Sequence, residues 1–312
     1  MPMKSQIFKS KNELAFYILM AAFPVAQLVV FYFIVNGNAI LLSFREYNSA
    51  RNGFEWSIAP FAEAVRQFGS KAMLTRVANS LIMYGISLLV ILPLSLFFSY
   101  YIYRKERFSD FFRTMLFIPS VISPIIMTML YSYFVDRAWP ELIEKMFHIQ
   151  TTGILSGLDT QFGGVLFYNV LIGFGVQILM YANSMSGINV SITESCKLDG
   201  ANNFQEFYHI VLPSIWPTLT TFLVVGIAGI FTNQLNLIGF FGTNADVNVQ
   251  SLGYYLFAQV TVASNAPGGV AEYPLLSALG LLMTLVAVPL TFCVKYILQR
   301  FGPSEDERKV RL

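Results

Sequence analysis

Charge is scarce in this sequence. Of 312 residues, 12% are Asp, Glu, Lys or Arg, about half the roughly 25% of an ordinary soluble domain. With 55% hydrophobic and 15% aromatic residues, that shortage excludes intrinsic disorder and a conventional water-soluble enzyme. Twenty basic residues against 18 acidic ones leave a net charge of +2, too little to attract a polyanion, so no nucleic-acid partner is expected. Histidine is reduced to His148 and His209, too far apart to suggest a zinc site. The G-x-x-x-x-G-K-[ST] phosphate loop is missing. No cofactor is therefore expected on this chain, and any nucleotide hydrolysis must come from another polypeptide.

Long apolar stretches take the place of the missing charge. Charge-free windows cover 14–44, 77–103, 114–135, 160–193, 210–245 and 273–294. Each is long enough to carry the roughly 20 apolar residues of a transmembrane helix. The pattern predicts an all-α polytopic membrane protein with six transmembrane helices near 14–35, 79–103, 114–134, 165–186, 216–238 and 275–297. The membrane domain is expected over 14–298, between a cytoplasmic N-terminus (1–13) and a cytoplasmic C-terminal tail (299–312). Six spans put both termini on one side, and that side collects thirteen basic residues against seven opposite. The positive-inside rule then places the termini in the cytoplasm and the chain in the cell membrane. The N-terminal apolar run is too long for a signal peptide and reads as an uncleaved first span. Cys196 and Cys293 fall at the inner face, so no disulfide is expected. Residues 61–76 read as an amphipathic helix on the outer surface. The polar window 247–271 reads as a short external or re-entrant helix.

The spans hold almost no ionisable groups, so no proton relay is visible, nor is there an arginine ladder for voltage sensing. The fifth predicted span does contain an amide cluster, Asn233, Gln234 and Asn236. Bare amides facing lipid are costly, so these should face protein or a water-filled path. On a helix Asn233 and Asn236 would share a face. Amides donate and accept without charge, which suits a hydroxyl-rich cargo. Tyr131, Tyr168 and Tyr181 are candidate stacking faces for it. Gly173, Gly175, Gly226 and Gly229 permit close helix packing, within this subunit or against a second one.

The inner loop at 190–213 carries the most specific pattern. Ser191 and Glu194 have capping-box spacing. Asp199-Gly200 ends the helix they start, because glycine accepts the left-handed conformation after a helix. Asn203 and Glu206 suggest a second start, and Pro213 a second stop. Glu194, Ser195 and Cys196 are followed by Leu198, Asp199 and Gly200, and nine residues later by Ile210, Leu212 and Pro213. This order resembles the EAA loop of binding-protein-dependent ABC importer permeases, and its flanks look like the carbohydrate-uptake branch, the maltose and glycerol-phosphate type. The departure is Ser195-Cys196, where the family carries two alanines. The resemblance implies a coupling helix over Glu194–Gly200 that docks in an ATPase subunit. It also implies a second homologous permease, two ATPase domains that hold ATP and Mg, and an extracellular solute-binding protein. Asn233 and Gln234 match the segment whose asparagines contact sugar hydroxyls in family members. The implied function is passage of a neutral oligosaccharide, with no catalytic residue. A secondary ion-coupled carrier and an ABC permease for a non-sugar solute are the rival readings.

Overall fold

The structure, a computed structural model, describes residues 11–173 and 175–303; most of the C-terminal tail and most of the N-terminal segment lie outside them. The chain forms two compact units, Met1–Arg66 with Ala263–Leu282, and Gln67–Val262 with Met283–Leu312.

The first unit opens with α1 (Ala15–Leu42), a helix with no buried residue in its most apolar window. A chain that leaves so many Phe, Ile and Val side chains uncovered is stable only in a non-aqueous surround. A short hairpin follows, β1 (Arg45–Asn48) paired antiparallel with β2 (Gly53–Trp56). Its turn is built by Asn48, whose side chain accepts from the Ala50 N–H at 3.0 Å. Next comes α2 (Ala59–Phe68). The surface helix expected over 61–76 is therefore shorter. Ser70 interrupts it, accepting from Met73 N at 3.3 Å as the N-cap of a new helix, so residues 71–76 belong to the next element.

That element, α3 (Lys71–Tyr103), opens the second unit. It is followed by α4 (Ser109–Val121), α5 (Pro124–Phe147), α6 (Gln161–Ser186), α7 (Val190–Leu198), α8 (Asn203–Ser214) and α9 (Trp216–Gly229). Short α10 (Leu237–Phe241), then α11 (Leu252–Asn265) and α12 (Gly269–Phe301) complete the described chain. Among the described residues four helices, α1, α3, α6 and α12, are long and apolar enough to span a membrane, and the count is six if the bent pairs α4–α5 and α8–α9 are each one span.

Two predicted spans are not straight helices. The third, 114–134, breaks before Pro124, and α4 and α5 diverge by 101°. Proline drives the residue before it out of the helical region, and Ile122 and Ser123 are extended, with ψ of 143° and 130°. The fifth, 216–238, stops at Gly229, leaving 230–236 outside any helix. The 247–271 window does contain a helix, α11.

Close packing uses glycine where backbones meet. A β-carbon on Gly175 would lie 2.5 Å from the Leu116 carbonyl oxygen of α4, and one on Gly226 would lie 3.1 Å from the Tyr84 ring. These glycines serve contacts inside the subunit. Two core centres stand out among the described residues. One gathers Met83, Ile91, Val165, Leu235, Leu237 and Tyr254, and the other gathers Tyr181, Met185, Ile188, Val211, Ile215 and Leu219.

Candidate functional site

The loop after α6 folds as two capped helices. Helix α7 starts at Asn189, whose side-chain oxygen accepts from the Ser191 N–H at 3.1 Å. Ser191 itself lies inside the helix, so the predicted Ser191–Glu194 box is replaced by a cap two residues earlier. The end of α7 follows the expectation. Gly200 has φ of +78°, its N–H bonds to Lys197 O at 3.1 Å, and the Ala201 N–H reaches Cys196 O at 3.1 Å. Those paired bonds are a Schellman closure, which needs a residue free to adopt the left-handed conformation. Along α7, Thr193 is buried, Cys196 is half-buried, and Glu194, Ser195, Asp199 and Gly200 are exposed. Leu198 is 89% exposed, an apolar side chain held out at the end of a rigid helix.

Helix α8 begins with a complete capping box, one residue before the predicted start. The Asn202 side chain accepts from Gln205 N at 2.9 Å, and the Gln205 side chain accepts from Asn202 N at 2.8 Å. Pro213 does not end the helix. A wider π turn over Phe207–Val211 precedes it, absorbing the missing N–H and the ring clash. The chain bends instead by 69°, after Ser214, with Ile215 between the helices and Pro217 in the first turn of α9. Ile210 and Leu212 pack on the core centre around Tyr181. Trp216, just past the bend, donates its indole N–H to Leu298 O at 3.2 Å, joining the loop's end to α12.

The loop also grips the end of α3. The Arg104 guanidinium lies 3.5 Å from Glu206 and 3.3 Å from Glu106, and it donates to the Asn203 side chain. Tyr100 donates to Asn203 O at 3.0 Å. The hydrogen bond with Tyr100 and the two carboxylates raise the Arg104 pKa above its ordinary value. Glu206, read from sequence as a helix-start signal, is a buried ion-pair partner, 3% exposed.

The amide cluster occupies the non-helical stretch between α9 and α10, so Asn233 and Asn236 do not share a helical face. Leu235 and Asn236 both take left-handed backbone, with φ of 53° and 57°. The break is held from three sides. Asn169 of α6 donates to Val165 O at 2.8 Å and to Leu235 O at 3.1 Å, and its oxygen accepts from Asn236 Nδ2 at 3.1 Å. Asn233 accepts from Leu235 N at 2.9 Å. Ser251 donates to Asn233 O at 2.6 Å. Segment 245–252 is itself pinned to α3, because Asn79 donates to Asn248 O and Gln250 O, and Ser80 accepts from Leu252 N.

Beside the break lies a cavity of about 260 Å³ between α3, α9 and the start of α11. Its polar lining comes from Ser80, Tyr84, Ser87, Thr232, Asn233 and Ser251, with no charged residue. Gln234 and Asn236 are not among the lining residues. Nor are the candidate tyrosines. Tyr131 donates to Gly164 O at 2.9 Å and packs on Tyr168. Tyr181 is fully buried in its core cluster, edge-on to Phe222. The sequence reading missed Asn169, Ser80 and Ser251. An amide set within the apolar stretch 162–176 of α6 was a signal for the first, whereas the serines carry no local signature.

A two-helix loop hung between spans, opening with the exposed helix α7, sits within a matching sequence pattern. The family described as "Binding-protein-dependent transport system inner membrane component" matches residues 91–305. The chain belongs to that family. It is a membrane component with the importer-permease fold. A solved chain of a bacterial ABC transporter involved in the import of the acidic polysaccharide alginate superposes with a TM-score of 0.75 at 18% identity, covering 94% of this chain and 99% of that one. The probable ABC transporter permease protein MG188 homolog of Mycoplasma pneumoniae is 26% identical over 55% of this chain and 53% of that protein. The probable starch degradation products permease AmyD of Thermoanaerobacterium thermosulfurigenes is 29% identical over 41% of this chain and 44% of its own length. The arabinooligosaccharides permease AraP of Bacillus subtilis is 22% identical over 66% and 67%. The match spans about half or less of the first curated relatives' lengths.

Proposed function

We propose that this chain is one permease subunit of an ATP-driven importer and passes neutral oligosaccharides delivered by an extracellular solute-binding protein. The observation that carries the reading is α7, a helix fixed by Asn189 at one end and the Gly200 closure at the other, with Leu198 held outward. In this reading α7 docks in an ATPase subunit on the cytoplasmic side. The excess of basic residues on the side of the termini supports that orientation. A second homologous permease completes the conduit, and two ATPase domains hold ATP and Mg. The chain itself is conduit and lever, and performs no bond chemistry.

The cargo assignment draws on the relatives named for starch degradation products and arabinooligosaccharides, and on the cavity. At about 260 Å³ it lies just below the roughly 300 Å³ lower end of small-molecule sites. Hydroxyls and amides pair with sugar hydroxyls as both donors and acceptors. The structural neighbour handles an acidic polysaccharide, but the lining here offers no cation to a uronate.

Reconstitution with the ATPase subunits and the binding protein in proteoliposomes tests the reading. Labelled maltooligosaccharides should accumulate only with ATP, and Asn233→Ala should lower the uptake rate. Uptake without ATP would point to a secondary carrier instead. Gly200→Val should abolish co-purification with the ATPase subunit, and an intact, ATPase-stimulating complex would contradict docking through α7.

A further inference from the structure

The contacts between the coupling loop and the end of α3 include a charge pair, its carboxylate buried, that the sequence pattern of the loop does not announce. Glu206 projects from the first turn of α8 and is 3% exposed, and the Arg104 side chain just past the end of α3 is 20% exposed. The guanidinium bridges Glu206, the Asn203 side chain and Tyr100. Tyr100 also holds Asn203 O and packs edge-on against Phe207 at 5.1 Å. One turn of α3 and the following arginine thus contact three consecutive-face residues of α8.

A surface ion pair would add little, because water replaces either partner. Separating this one leaves the Glu206 carboxylate, 3% exposed, without its cation, and that is unfavourable. Any displacement of α8 therefore carries the end of α3 with it. Helix α3 continues from there for 33 residues in all and contributes Ser80, Met83, Tyr84 and Ser87 to the cavity. One continuous helix, with a π turn at Ser87–Ile91, thus runs from the loop to the cavity wall.

We propose that Arg104 and Glu206 are positioning residues that latch the coupling loop to α3, so that movement of α7 and α8 becomes movement of the cavity wall. The latch rests on the permease reading above. Breaking it should leave the ATPase engaged but disconnect hydrolysis from the conduit.

The test uses the complete transporter and needs no knowledge of the cargo. Asn233→Cys, in a Cys196→Ser, Cys293→Ser background, reports access to the cavity through its labelling by a membrane-impermeant maleimide. With Arg104 and Glu206 intact, ATP and vanadate should change the labelling rate by about 5-fold or more, the lower bound of ordinary coupling between sites. Adding Glu206→Gln should retain the complex and its ATP hydrolysis, while the nucleotide-dependent change in labelling falls below about 2-fold, less than that coupling range. The charge-swapped Arg104→Glu/Glu206→Arg pair should recover part of it, as no purely local loss of stability would. Unchanged nucleotide-dependent labelling in Glu206→Gln would overturn the latch, as would hydrolysis and labelling falling in equal proportion. If Glu206→Gln yields no complex, the swapped pair decides, recovery supporting the latch and no recovery overturning it. If the intact transporter shows no response to ATP, or Gly200→Val leaves the complex intact, the permease reading fails first and takes the latch with it.

Discussion

The chain interrupts its helices at 199–202 and again at 230–236, and the two breaks are supported in opposite ways. The first lies on the surface and closes through its own residues. Gly200 supplies the left-handed position, the α7 carbonyls accept from Gly200 and Ala201, and Asn202 with Gln205 restarts the helix. The second is set into the core at Ile230 and Leu235, with Thr232 and Asn233 exposed, and depends on distant elements, Asn169 from α6 and Ser251 beside α11. An exposed break can be written into local sequence because water satisfies whatever the caps leave over. A break set into the core cannot, since each freed backbone group buried there needs a protein partner brought to it by the fold.

Substitutions should separate the two modes, beginning with the largest effect. Gly253 approaches the second break so closely that a β-carbon would lie 2.4 Å from the Thr232 carbonyl carbon and 2.8 Å from Asn233 O. Gly253→Ala must push backbone against backbone and should destabilise the protein by about 3 kcal/mol, the upper range for overpacking. Thermal unfolding in detergent measures it. Asn169→Leu leaves the Leu235 carbonyl and the Asn236 amide without their partner, at a cost of about 2 kcal/mol. The same assay reads this loss, and a change near zero would mean that the break supports itself.

The surface break should respond more mildly. Gly200→Ala meets no neighbour within 4 Å, so its cost is confined to left-handed backbone, about 1–2 kcal/mol. That cost should appear as lost loop order, read by hydrogen exchange across 196–202, while global unfolding hardly moves. Asn189→Ala removes the actual cap of α7 and should weaken that helix by about 1 kcal/mol. Ser191→Ala should have the smaller effect in the same exchange measurement, because Ser191 is not the residue that caps the chain.

The same contrast explains what could be read from the sequence. Spans were legible because a membrane forces some twenty apolar residues into a row, and the loop was legible through Gly200, Asp199 and the fixed distance to Ile210, Leu212 and Pro213. Cap positions moved by one or two residues, since Asn189 and Asn202 compete with nearby Ser191 and Asn203 for the same role. Pro213 misled because a π turn accommodates it. The break at Leu235-Asn236 stayed hidden because no glycine or proline marks it. Leucine takes left-handed backbone there against its preference, under constraint from Asn169. The role of Glu206 was equally hidden, since its partner lies 102 positions away at Arg104.

The Asn169 clamp has a consequence for how such chains diverge. Its one side chain meets Val165, Leu235 and Asn236 together, so position 169 is not free to drift alone. In related chains, replacement of this asparagine should be accompanied by changes at 235 and 236 that restore a continuous helix. The pair of sites would then be inherited as one character, joined across 66 residues of sequence.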